Sequence, residues 1–88
     1  MRIVIVDGCK IASHEELHKY LAWHLRFPLW YGNNLDALYD CLTDIQEPTA
    51  IQVINTNKLR ENLGPASHGF FRVLRDAAKE NPNLYVEY

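Results

Sequence analysis

Three aspartates, Asp36, Asp40 and Asp44, follow one another at four-residue steps, and His14-Glu15-Glu16-Leu17-His18 sets two imidazoles around carboxylates at the same spacing. On a helix such steps stack side chains along one edge. The aspartates would form a row of fixed negative charge, suited to a cationic surface. The histidines match H-E-x-x-H, in which two helical imidazoles hold zinc and the Glu serves as base. One chemistry is display and the other is catalysis.

The zinc reading fails on its surroundings. His24 stands ten residues after His14, where a third ligand would fall, but Leu21 occupies the position at which that pattern needs Gly to end the helix. In a continuing helix His24 lies about 15 Å along the axis from His14 and about 80° to the other side. The only methionine is Met1, so a Met-turn is excluded. His24, central on an apolar face, reads as a hydrogen-bonded core histidine. There is no G-x-S-x-G, no phosphate-binding glycine loop and no Gly-rich βα turn. Cys41 falls on the inward half of its helix and reads as a buried structural thiol. Asp36 and Asp40, as a glycosidase pair, would sit on a convex helix with no groove to hold a sugar. Neither an enzyme nor a metal or cofactor is expected.

The aspartate row fares better. Leu35, Leu38, Leu42 and Ile45 form an apolar stripe opposite it, with Tyr39 and Thr43 between stripe and charges. Like charges at this spacing cost a helix about 0.2–0.5 kcal/mol per pair, and no Lys or Arg offsets them. Asp36 is favoured by the helix dipole, whereas Asp44 sits at the wrong pole. A solvated polar face is the plain account of such a stripe. The preceding loop, Phe27-Pro28-Leu29-Trp30-Tyr31-Gly32-Asn33, adds aromatic residues of the kind found at binding hot spots. Tyr31 is expected to cap the core edge and Trp30 to stay free.

The elements that must hold these groups follow from patterning. Arg2 to Val6 reads as a strand buried on both faces. Ser13 and Glu16 form a capping box for a first helix that runs to about Arg26, with Leu17, Tyr20, Leu21, His24 and Leu25 inward and Pro28 preventing extension. Asn33 or Asn34 caps the acidic second helix, which ends before Pro48. Thr49 to Ile54 is a second strand, and Asn55 to Asn62 a short helix or turn. Pro65 opens a last helix with Phe70, Val73, Leu74 and Ala77 inward, Asn81-Pro82-Asn83 ends it, and Leu84 to Tyr88 is a third strand. Helix-bearing crossovers imply parallel strands, hence a small single-domain α/β layer fold.

With 88 residues and 48% hydrophobic content, the chain has material for one core and little for a deep substrate cavity, so function is expected on the surface. Net charge is −2, without the basic excess of a nucleic-acid binder. The interval between Arg26 and Lys58 carries −4 and the rest +2, a local acidic field that points to a basic partner. Two cysteines make no disulfide framework, and no apolar run reaches the length of a signal-peptide core or a membrane span, so a cytoplasmic protein is expected.

The run Trp30-Tyr31-Gly32-Asn33-Asn34-Leu35-Asp36-Ala37-Leu38-Tyr39-Asp40-Cys41-Leu42-Thr43 resembles the signature of the barstar family, intracellular inhibitors of barnase-type guanyl-specific ribonucleases. The resemblance extends over the whole chain. It implies a three-stranded parallel sheet with four helices, and an inhibitor that plugs its second helix and preceding loop into the ribonuclease active site. By that likeness Asp40 is the principal aspartate, Asp36 the second, and Trp30 the aromatic against the active-site rim. Gly32 and Asn34 belong to the contacting loop, Tyr39, Thr43 and Asp44 to the contacting helix, and Asp76 stands where the family carries a Glu in a peripheral ion pair. The resemblance raises the question of a cis Glu47-Pro48 peptide and leaves it open. Departures include Tyr39 in place of Trp, Asn33 in place of Glu, and Asp44-Ile45 in place of Gly-Trp. The implied partner is an extracellular or toxin-like ribonuclease bound by a monomeric inhibitor, with no direct nucleic-acid or membrane contact. The alternative is an adaptor of the same fold that binds a basic partner other than a nuclease.

Overall fold

A computed structural model describes all residues, 1–88, as a three-stranded sheet with four α-helices. In chain order these are β1 (Arg2–Asp7), α1 (His14–Leu25), α2 (Leu35–Thr43), β2 (Thr49–Ile54), α3 (Thr56–Leu63), α4 (Ser67–Glu80) and β3 (Leu84–Glu87), with a 3-10 turn at Gly64–Ala66 joining α3 to α4. The sheet order is β1-β2-β3 and both pairings are parallel. No peptide bond is cis, Glu47-Pro48 included.

Two successive right-handed crossovers in this strand order place the connecting helices on the same side of the sheet. One face therefore carries the core and the other does not. Val4, Val6, Ile51, Val53 and Leu84 are buried, while their neighbours Ile3, Ile5, Ile54 and Tyr85 are exposed. This corrects the reading of β1 as buried on both faces. Its continuous apolar run reflects an edge strand with one covered side, and register alternation decides which residues go inside.

The helices begin and end where local chemistry dictates. Ser13 Oγ accepts the Glu16 N–H at 3.2 Å, and Glu16 Oε2 accepts the Ala12 N–H at 2.7 Å, one residue further back than in the usual reciprocal box. Arg26 ends α1 in the left-handed region, φ 57°. Leu17, Leu21 and Leu25 enter the core as their spacing requires. His24 does not, because it lies on the exposed side, its ring stacked on Tyr20 at 4.2 Å between centroids. The buried histidine of α1 is His18, 4% exposed. In α4, Phe70, Leu74 and Ala77 are buried as their spacing predicts, Val73 is half-buried at the margin, and Phe71, which lies outside the predicted stripe, is buried as well.

Candidate partner-binding surface

The loop ahead of α2 is built by its anchors. The Tyr31 N–H donates to the Pro28 carbonyl at 2.9 Å, closing a turn whose two central residues are Leu29 and Trp30. Both are thrown outward, at 104% and 84% exposure, while Phe27 and Tyr31 on either side pack against the core. Tyr31 is held by a 2.6 Å hydrogen bond between its hydroxyl and His18 Nδ1, and its ring lies 4.9 Å from that of Phe27. Burial keeps both partners of this bond neutral, pushing the His18 imidazole below its ordinary value and the Tyr31 phenol above its own. The expected division of labour, Tyr31 inward and Trp30 free, is what the turn produces.

Asn34 is the residue that starts α2. Its Oδ1 accepts the Ala37 N–H at 2.8 Å and its Nδ2 donates to the Gly32 carbonyl at 3.3 Å. Asn33, at φ 53°, supplies the left-handed step before it. Gly32 stands where a Cβ would come within 3.1 Å of Asn34 Nδ2. Asn34 and Gly32 thus shape the loop, and the Asn34 side chain is already engaged in doing so.

On α2, Leu38 and Leu42 are buried and Leu35 is half-buried. Asp36, Asp40 and Asp44 are all exposed. None of the three enters an ion pair: the cations that do pair bind Glu47, Glu15, Glu61 and Asp76. None accepts a side-chain or backbone hydrogen bond through its carboxylate either. Asp44 is the C-cap, at φ −94° and ψ −2°, so it continues the row just past the last regular turn. Asp40, Thr43 and Asp44 share a concavity of about 520 Å³ with Trp30, which sets the aromatic ring beside two of the three charges. Asp36 lies outside it, in the first turn.

The remaining residues named from the sequence are placed as follows. Tyr39 is half-buried and packs on the core. Thr43 Oγ1 donates to the Tyr39 and Asp40 carbonyls, at 2.9 and 3.1 Å, so its proton serves the helix. Asp76 is half-buried on α4, 3.5 Å from Arg75 Nε, and it is the one aspartate of the set that meets an internal cation. Cys41 is half-buried, and burial, followed by the neighbouring Asp40 and Asp44 charges, pushes its thiol up, which opposes a nucleophilic role. The three histidines of α1 do not converge: His14 Nε2 lies 3.2 Å from the Leu63 carbonyl, His18 is bonded to Tyr31, and His24 is stacked outside.

Two supports of α2 escaped sequence reasoning. Asn81, buried at 5%, sends Nδ2 to the Leu42 and Ile45 carbonyls at 2.9 and 3.0 Å, and its Oδ1 accepts the Asn83 N–H at 2.9 Å. It ties the C-terminal end of α2 to the end of α4. Gly69 lets the same two helices approach, since a Cβ there would lie 2.6 Å from Leu35 Cδ1. An Asn between a helix and a proline reads only as a helix stop, and nothing local shows that its amide reaches another helix. The acidic helix is therefore fixed at its start by Asn34, at its end by Asn81 and along its inner face by packing.

Comparison with known proteins agrees with this geometry. The family described as Barstar (barnase inhibitor) matches residues 1–87. A protein of Bacillus subtilis (strain 168), named "Putative ribonuclease inhibitor YrdF", is similar to the chain, with 37% identity over 81 residues covering 91% of this chain and 89% of the relative. With the match running nearly end to end over a parallel three-stranded sheet and a capped acidic helix, the chain belongs to the barstar family.

Proposed function

We propose that this protein inhibits a barnase-type guanyl-specific ribonuclease by seating α2 and the turn before it in the enzyme's active-site cleft. Family membership supports a role as ribonuclease inhibitor. The mechanism rests on one observation above the others: Asp36, Asp40 and Asp44 form an exposed row and none of them enters an ion pair within the molecule.

A ribonuclease must gather Arg, Lys and His to hold phosphates. Carboxylates spaced by about 6 Å per helical step can occupy those subsites in place of the RNA backbone. Asp40 takes the centre, flanked by Asp36 and Asp44. Trp30 lies against the rim, and Gly32 lets the loop backbone come close. Asp76, already beside Arg75, contributes at the periphery. Because α2 is clamped at both ends before any partner arrives, little side-chain order is lost on association. The opposed fields make capture fast and sensitive to salt.

The two free cysteines, Cys9 exposed and Cys41 half-buried, suit a reducing compartment, where the inhibitor would act as a cytoplasmic monomer that protects its producer. The direct test is titration of the native protein into a barnase-type ribonuclease at low ionic strength while RNA cleavage is followed. Stoichiometric inhibition that weakens as salt rises is the expected result. Unchanged cleavage at excess protein, together with recovery of a basic non-nuclease partner from the host, would replace this reading with the adaptor.

A further inference from the structure

The loop turn has a second side. Trp23, on the outer face of α1, is 81% exposed and Leu29 is 104% exposed. Both line a concavity of about 780 Å³. Its floor includes Phe27 and Tyr31, its basic side chains are Lys19, His24 and Arg26, and no carboxylate is among the lining residues. Arg26 has no ion-pair partner, and Lys19 meets only Glu15, at 3.0 Å between two exposed side chains. Arg26, Phe27 and Pro28 form a ridge shared by this groove and the concavity that holds Asp40 and Asp44. A body resting on α2 and Trp30 therefore reaches the ridge.

We propose that the Trp23–Leu29 groove is a second contact surface for the same ribonuclease, receiving an apolar side chain from an acidic segment beside its active-site cleft. The proposal rests on the ribonuclease reading above. Its physical basis is threefold. Exposed Trp and Leu flanking one concavity are anchors for an apolar group, since neither contributes to the core. The groove's sign is opposite to that of α2, so the matching surface is acidic where the cleft is basic. The shared ridge makes the two contacts continuous. The acidic row would set encounter, and the groove would set residence and the choice among ribonucleases whose clefts are alike.

The experiment measures association and dissociation of the full chain with the ribonuclease it inhibits, for the native protein, Trp23→Ala, Leu29→Ser, Lys19→Glu and Asp40→Ala. All four side chains are exposed, so folding is expected to survive, and circular dichroism checks it. Dissociation about 30-fold faster for Trp23→Ala, with association changed less than about twofold, is the expected result. Lys19→Glu should weaken binding. Native behaviour of Trp23→Ala and Leu29→Ser, alongside lost inhibition by Asp40→Ala, would overturn the groove and leave the inhibitor reading standing. Tighter binding by Lys19→Glu would also overturn it, since the groove would then face the cationic cleft. Native inhibition by Asp40→Ala would instead strike the reading on which the groove depends. Self-association of the native chain that Trp23→Ala abolishes would give the groove to a second copy and refute the proposal.

Discussion

Replacing Asp40 by Asn should make the free protein more stable and the inhibitor worse. Asp40 lies between Asp36 and Asp44, one helical step of about 6 Å from each. At that separation two unit charges repel by about 0.7 kcal/mol in bulk water. Screening and side-chain freedom bring this to about 0.2–0.5 kcal/mol per pair. Two pairs vanish together, and no internal salt bridge is lost because Asp40 has none. The variant should gain about 0.4–1 kcal/mol, which for a domain of this size raises the melting temperature by about 2–8 °C. Circular dichroism melts at ~10 mM and ~1 M salt give the check, because the Debye length falls from about 30 to about 3 Å and the gain should shrink with it. Inhibition of RNA cleavage measured on the same samples should fall by at least about 30-fold, the loss of a hot spot of about 2 kcal/mol. An Asn variant that melts lower would mean the carboxylate holds the helix, and unchanged inhibition would mean it does not meet the enzyme. Either result refutes the claim that this charge is kept for binding at the expense of stability.

The fold offers further tests. Asn81→Ala removes both amide donors to the Leu42 and Ile45 carbonyls, so urea denaturation should show a loss of about 2–4 kcal/mol, with weaker inhibition as the end of α2 loosens. At Gly8 an added Cβ would overlap the Asn55 carbonyl oxygen and stand 2.7 Å from the Leu59 backbone N, so Gly8→Ala should cost about 3 kcal/mol or more, read as a lower denaturation midpoint or insoluble protein. His18, held neutral by burial, has a folded-state pKa below its ordinary 6.5. The unfolded chain therefore binds more protons between the two values, and stability is present above 6.5 and lost as pH falls through the folded value. Melting temperature should drop as pH is lowered from about 7 to about 5, and His18→Gln should flatten that slope.

Much of the architecture could be read locally. Spacing of Leu17, Leu21 and Leu25, the Ser13 cap, the Asn34 cap and the proline stops are short-range signals, and they placed α1, α2 and the strands with small errors at the ends. The errors share one cause. Helical spacing shows that residues lie on one side of α1 without showing where the core boundary cuts that side, so the pattern points His24 inward and does not single out His18. A run of apolar residues does not tell an edge strand with one covered face from a central one, and so the pattern of β1 reads as burial on both sides.

The row of aspartates, the absence of cations near it along the chain, and the helix that spaces it are local properties of the amino-acid order, because each depends on residues within a few turns of one another. That no Lys or Arg, not even Arg26 across the concavity beside Asp40 and Asp44, closes an ion pair with the row is an outcome of tertiary packing. It alone brought Asn81 across to hold the end of α2 and pressed α4 against Leu35 at Gly69. It also left Trp23 beside Leu29 on an open groove of opposite sign. Those outcomes depend on which elements become neighbours, and that follows from burying one shared core under a sheet whose crossovers all turn to the same side.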